Sequence, residues 1–251
     1  MSNPVLECLS SHCSIRKFKA EPIDPATLDV VLRAGTRAAR AGNLQPYSFL
    51  VVDDADTLKK MTFGDAPCVI IALVDLHRQK RWLELNDASF YWDQPSNFLI
   101  SYWDATIALH NIVIAAEGLG LGTLYIGAVV AQNMQEQFDA PKYVFPAGMV
   151  ILGYPDETPE LRPRLPLEAV VHRNAYHHPT DDEIRAWYQD RDARWEEMDP
   201  DRRRRFEERG ITNYAQMITL GHYTPEFTEW ESAGILENLR RARFRWESPP
   251  S

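Results

Sequence analysis

Apolar positions are densest between Trp103 and Gly127, WDATIALHNIVIAAEGLGLGTLYIG. From Ala105 to Ala116 small and apolar residues lie on every side rather than on one stripe, the mark of a helix enclosed by protein or by a membrane. The apolar run is too short to span a bilayer, and Asp104, His110, Asn111 and Glu117 interrupt it, so it is expected as the buried central helix of a soluble domain. Gly118, Gly120 and Gly122 should stop it. A short core strand, Leu124–Ile126, is expected next, ending at Gly127. Glycines there permit a tight turn and a close approach of backbone N–H groups to a flat or anionic group.

Upstream, Asp24-Pro25 opens a helix as N-cap and first helical residue, with Leu28, Val31, Leu32, Gly35 and Ala39 spaced to face the core and an end expected near Ala41-Gly42. The loop Asn43-Leu44-Gln45-Pro46-Tyr47 follows. Its amide side chains suit a planar, amide-like ligand edge or satisfy the turn's own backbone. Ser48–Val52 reads as a strand, Asp56–Met61 as a short helix and Cys68–Val74 as a buried strand. His77 to Pro95 reads as a loop and helix whose Trp82, Tyr91 and Trp92 serve packing. A further helix over Gln132–Phe138 and a strand over Met149–Gly153 complete the core.

The segment Leu161-Arg162-Pro163-Arg164-Leu165-Pro166 holds two arginines on a stiff, extended stretch, a form suited to gripping phosphate. Beyond Tyr176 the character changes to charged helices, expected over Thr180–Met198, Asp201–Arg209 and Ser232–Phe244, so a core of residues 1–176 and a helical extension of 177–251 are expected. The basic run Arg202 to Arg205 lies between Glu196, Glu197, Asp199, Asp201 and Glu207-Glu208, and reads as a solvated helix face.

Size and composition narrow the function. With 251 residues, 45% hydrophobic and 25% charged, the chain can bury a substantial core. A net charge of −9 argues against general nucleic-acid binding. Cys8, Cys13 and Cys68 form neither a disulfide framework nor a zinc motif, and His172, His177 and His178 lack a carboxylate or cysteine at ligand spacing, so no metal is expected. No signal peptide or membrane span is expected, and a reduced cytoplasmic setting fits.

Four stretches in this order resemble the nitroreductase family of FMN-dependent oxidoreductases: SIRKF at Ser14–Phe18, GNLQPYSFLVV at Gly42–Val52, the central helix with its GLGLGT turn through Gly127, and LGYP…RPRLPLEAVV at Leu152–Val171. The resemblance implies an α+β fold, a three-layer α-β-α sandwich around a mixed, mainly antiparallel sheet, assembled as an intertwined homodimer with FMN at the subunit interface. It implies that His12, Ser14 and Arg16 meet the phosphate, ribityl chain and flavin pyrimidine side. Arg162 and Arg164 would close on the phosphate. Asn43, with Gln45 and its neighbours, would reach across from the partner, and Ile126 and Gly127 would present backbone near flavin N5. Where the family commonly has Arg this chain has His12, and where it commonly has Pro-Ser this chain has Ala39-Arg40; Arg40 either restores phosphate-side charge from across the interface or points into solvent. The implied activity passes a hydride from NADH or NADPH through the flavin to a small nitroaromatic or quinone, in ping-pong order, with no protein nucleophile or base. A flavoenzyme specialised for one substrate, or a flavin carrier with little turnover, are the alternatives.

Overall fold

The computed structural model describes residues 3–61 and 67–245. By compactness the chain divides into two units: Leu161–Trp230, and the remainder, which includes the chain from Glu231 onward.

In the larger unit α1 (Pro4–Ser11) and α2 (Pro25–Thr36) precede β1 (Tyr47–Val52), α3 (Ala55–Lys60), β2 (Cys68–Asp75) and α4 (His77–Glu84). Then come α5 (Pro95–Gly118), β3 (Gly122–Ile126), α6 (Met134–Phe138) and β4 (Val144–Gly153). The four strands form one antiparallel sheet in the order β1-β2-β4-β3. Every residue of β2 and β4 is buried, so both faces of the sheet's centre are covered. That explains why these strands read as continuous apolar runs instead of alternating ones.

The apolar helix α5 packs against all four strands and against α1 and α2. It is longer than its apolar run, because Pro95 starts it at the position where a missing N–H costs nothing. At 24 residues it is long and apolar enough to cross a membrane by length and composition, so shortness is not what identifies it. Its contacts with the sheet do, making it the core helix. Gly35 of α2 lies so close to α5 that a Cβ there would stand 2.8 Å from Ile112 Cγ1.

Among the boundaries that differ from the sequence reading are those of α2 and β4. Helix α2 stops at Thr36 rather than near Ala41-Gly42, because the Arg37 and Ala38 amides bond back to the Ala34 and Gly35 carbonyls and close a tight last turn. Ala39 consequently lies exposed instead of facing the core. Strand β4 starts at Val144, five residues before Met149. Pro146, which cannot donate to a ladder, is accommodated opposite Leu73 where the register slips between Ala72 and Leu73.

The smaller unit contains α7 (Asp181–Ala193), α8 (Pro200–Glu207) and α9 (Tyr214–Gln216), which runs on into a π-helical turn, Met217–His222. Thr180 and Glu183 form a reciprocal capping box at the start of α7. Trp195, Ile211 and Met217 make a small core of this unit's own, with Phe206 and Tyr214 against it. Helix α10 (Pro225–Arg241) starts earlier than the expected Ser232. Its last turns belong to the larger unit: Leu239, Ala242 and Phe244 join the main core, and Asn238 Nδ2 donates to the Val130 and Gln132 carbonyls at 2.8 and 2.7 Å. The chain thus divides at Glu160/Leu161 and Trp230/Glu231, not after Tyr176, because apolar residues near the end return to the first core.

Candidate functional site

Strand β3 organises the site. At its start Ser14 forms a parallel bridge with Thr123, and the Ile15 amide donates to the Thr123 carbonyl at 2.8 Å. Gly122 is obligatory beneath this segment, since a Cβ would meet Ile15 at 2.8 Å. At the strand's other end stand half-buried Ile126 and exposed Gly127, three and four residues on, or about 10–13 Å along an extended chain. A Cβ on Gly127 would find nothing within 4 Å, so the space on that side of the residue is open, while its carbonyl accepts from the Val130 amide at 3.1 Å.

The segment carrying Arg16 is fixed from its other side. Glu157 accepts from the Arg16 amide at 2.5 Å and the Lys17 amide at 3.0 Å, and those bonds hold its carboxyl below the ordinary value. Phe18 bridges Pro155, and the Lys19 amide donates to the Tyr154 carbonyl. The Arg16 side chain is left exposed, with one long contact, 3.5 Å, to the Ser14 carbonyl. Among the described residues no other side-chain hydrogen bond engages its guanidinium.

His12 sits at the C-terminal end of α1, where its Nδ1 lies 2.8 Å from Glu117 Oε1. The same Glu117 oxygen accepts from the Thr123 hydroxyl, so one carboxylate at the end of α5 ties His12 to the start of β3. Burial, and secondarily the Glu117 charge, push the Cys8 thiol above its ordinary value.

The second cluster is the loop after α2. Arg40 donates to Asn43 Oδ1 through Nε at 2.8 Å and through a second nitrogen, and to the Ala38 carbonyl at 3.1 Å. Gly42, Asn43 and Gln45 all have positive φ, a conformation that costs the two non-glycine residues and persists only when its surroundings enforce it. Asp104, a buried residue of α5, accepts from the Ala41 amide at 3.0 Å. Burial raises the Asp104 carboxyl above its ordinary value, against the Ala41 hydrogen bond and the nearby Arg40 charge, which pull it down. From α4, Arg78 donates to the Gln45 carbonyl at 2.6 Å and Gln79 Nε2 to the Leu44 carbonyl at 2.9 Å. Gln45 itself reaches the Tyr47 hydroxyl at 3.4 Å.

Two groupings therefore emerge in the larger unit: His12, Ser14 and Arg16 along β3 with Ile126 and Gly127, and Arg40, Asn43 and Gln45 in one strained loop. Arg162 and Arg164 belong to the smaller unit, exposed on an extended segment, with Arg164 donating to the Arg162 carbonyl at 3.2 Å. Neither has a carboxylate partner among the described residues. The sequence reading did not single out the residues that brace these groups, Glu157, Arg78 and Gln79, and gave Asp104 and Glu117 no partner. The last two were legible as a problem, because a charge inside an apolar helix needs a partner. The histidine cluster does have a nearby carboxylate, since His177 Nε2 lies 3.2 Å from Glu183. No group of three or more metal-ligating side chains occurs among the described residues.

Residues 9–154 match the family model described as "Nitroreductase family". The chain belongs to the nitroreductase family. An FMN reductase [NAD(P)H] of Bacillus subtilis (strain 168) is 35% identical over 186 residues, 69% of this chain and 75% of that protein. A Cr(VI) reductase of Pseudomonas sp. (strain G-1) is 30% identical over 199 residues, 74% of this chain and 81% of its own length. Among solved structures, Bacillus megaterium NfrA2 superposes with a TM-score of 0.82 at 28% identity, covering 98% of this chain and all of that one. The antiparallel sheet crossed by one long helix is thus the nitroreductase fold.

Proposed function

We infer that this nitroreductase-family protein is an FMN-dependent NAD(P)H oxidoreductase. We propose that it takes reducing equivalents from NADH or NADPH and delivers them, in ping-pong order, to a small electron-poor acceptor such as a nitroaromatic or quinone. The observation that carries the reading is β3: open space beside Gly127 at its end, and an exposed cation, Arg16, on a segment bridged to the same strand. An exposed strand end and an exposed guanidinium on the neighbouring segment fit a flat, anionic heteroaromatic group. FMN, when bound, supplies the hydride acceptance and release, and the chain's residues bind and orient it. In this reading Arg16 balances negative charge at the pyrimidine edge and the Gly127 backbone meets the ring. His12 and Ser14 meet the ribityl chain and phosphate, and for Arg162 and Arg164, carried by the smaller unit, a phosphate role rests on the family resemblance. His12 Nδ1 is engaged by Glu117, which leaves Nε2 as the ring nitrogen for the phosphate.

The reading includes a homodimer, with Arg40, Asn43 and Gln45 approaching the partner's cofactor. Large apolar side chains supporting a covered face are Leu99, Ile100, Trp103 and Ile107 on α5 and Val5, Leu6 and Leu9 on α1, all exposed in the single chain. Since Arg40 already donates to Asn43 and Ala38, a phosphate role would require it to share or leave those acceptors. A cytoplasmic location accompanies this reading.

The test is the absorption spectrum of the purified protein, followed by anaerobic NADH and NADPH and then a quinone. Bleaching by a donor and many turnovers with the quinone are expected. A colourless protein that cannot be reconstituted with FMN refutes the reading, and a single turnover favours a flavin carrier. Trp103→Glu should give a monomer with weakened FMN binding; a monomer that holds FMN undiminished removes the interface assignment.

A further inference from the structure

One carboxylate, Glu117, joins three parts of the larger unit. It stands in the last turn of α5 with its side chain 15% exposed, and its Oε1 lies 2.8 Å from His12 Nδ1. The same oxygen accepts from the buried Thr123 hydroxyl at 2.5 Å. Thr123 is also the residue whose carbonyl takes the Ile15 amide and whose backbone bridges Ser14. His12 directly follows the last residue of α1, where unpaired helix carbonyls favour a positive charge. The ring is therefore held between α1 and α5, on a carboxylate that is itself tied to β3.

This pairing decides which ring nitrogen carries hydrogen. An ionised carboxylate only accepts, so Nδ1 must donate to it, and in a neutral imidazole the other nitrogen is then a bare acceptor. That other nitrogen, Nε2, has no hydrogen bond among the described residues, and the side chain is 34% exposed. A phosphate oxygen also only accepts, so the neutral ring in this tautomer offers it no donor. Only the imidazolium, with hydrogen on both nitrogens, can donate to Glu117 and to a phosphate together.

We propose that Glu117 is a positioning residue for cofactor binding: it fixes the His12 tautomer, so that FMN and one proton are bound together at this ring. The inference rests on the reading above, in which His12 meets the flavin phosphate. On binding, Nε2 takes a proton from solvent and donates it in a hydrogen bond to a phosphate oxygen, while the Nδ1 hydrogen stays on Glu117. The other titratable or charged groups near the ring in the chain are Glu7 and Cys8 on α1, His110 two turns before Glu117 on α5, the adjacent Cys13, and Arg16 beyond Ser14. Burial, and secondarily the Glu117 charge, keep the Cys8 thiol protonated, and a guanidinium holds its charge throughout the neutral range. The second ionisation of a phosphate monoester, near pH 6, is complete above neutrality and supplies no uptake there.

The experiment is calorimetric titration of FMN into the full-length protein stripped of flavin, between pH 6.5 and 8.5. Buffers of different ionisation enthalpy give the number of protons bound. The parent should take up a proton, approaching one at the maximum, and its FMN affinity should fall with rising pH by up to about tenfold per unit. In Glu117→Gln the amide can donate to Nδ1, which lets the neutral ring carry its hydrogen on Nε2, so uptake should fall by about half or more and the pH dependence should flatten. Thr123→Val removes the hydroxyl but keeps the carboxylate, and should retain the uptake. His12→Gln should show none, and keeps the test decisive if Glu117→Gln does not fold. FMN binding without proton uptake in the parent overturns the proposal. So does uptake that survives in His12→Gln or is undiminished in Glu117→Gln, and so does an equal loss in Thr123→Val, the mark of a purely structural tie. Failure of the parent to bind FMN at any pH refutes the flavoenzyme reading, and this inference with it.

Discussion

Asp104 is the residue on which the loop after α2 depends, and its replacement separates two opposing effects. The carboxylate is 5% exposed and accepts from the Ala41 amide at 3.0 and 3.3 Å through its two oxygens. A hydrogen bond to a charged group contributes about 1.5–3 kcal/mol, yet burial outweighs both that bond and the Arg40 charge, because the Asp104 carboxyl is raised. Ionised Asp104 is therefore a net cost to folding at neutral pH. Asp104→Asn keeps an acceptor for Ala41 and removes the buried charge, so it should leave stability unchanged or raise it by up to about 1 kcal/mol. Asp104→Ala removes the acceptor as well, frees a loop with three consecutive-but-one left-handed residues, and should cost about 1–2 kcal/mol relative to the Asn variant. The pH dependence has a definite sign. A raised folded value means the native state binds a proton that the unfolded chain does not. Parental stability should thus rise relative to Asp104→Asn as pH falls toward the ordinary value of 3.8, and that advantage should vanish as pH rises through the folded value. Urea denaturation of the three proteins between pH 4 and 8 measures this, with FMN affinity as the second readout. Equal stability losses in the Ala and Asn variants, or a parental advantage that grows with pH, would refute the account.

Two further outcomes follow from packing and burial. Gly148→Ala should destabilise by about 1–3 kcal/mol in thermal denaturation, because the new Cβ would stand 2.3 Å from the Tyr125 hydroxyl and 3.1 Å from Leu109 Cδ2; Tyr125→Phe should relieve part of that loss. Cys68, buried in β2 with its thiol pushed up to about 12, should resist iodoacetamide at pH 8 in the native protein while half-buried Cys13 reacts, as mass spectrometry of the peptides would reveal.

The sequence alone determined the elements whose signals are local. Asp24-Pro25 opening α2, the doubly buried β2 and the glycine stop after α5 each follow from the residue types and their spacing, and all stand in the structure. So does the family, because four short stretches in fixed order require no knowledge of contacts. What the sequence could not reveal depends on chain segments far apart in number. Glu157 bracing the Arg16 and Lys17 amides is 140 residues or more away from them, and no local pattern marks it. Asp104 and Glu117 were visible as charges in an apolar helix, but only packing supplied the Ala41 amide, His12 and Thr123 that accommodate them. The start of β4 was hidden by Pro146, which local rules exclude from a central strand and which a register slip in β2 admits. The run at Arg202 read as one uniform charged face, because sequence spacing does not say which guanidinium finds a carboxylate. Tertiary structure decided that Arg203 and Arg204 do, and that Arg202 and Arg205 open onto a cavity with Phe206. Periodicity and capping act within a turn or two of chain, whereas partners for buried charges and the walls of cavities are set only when distant segments pack.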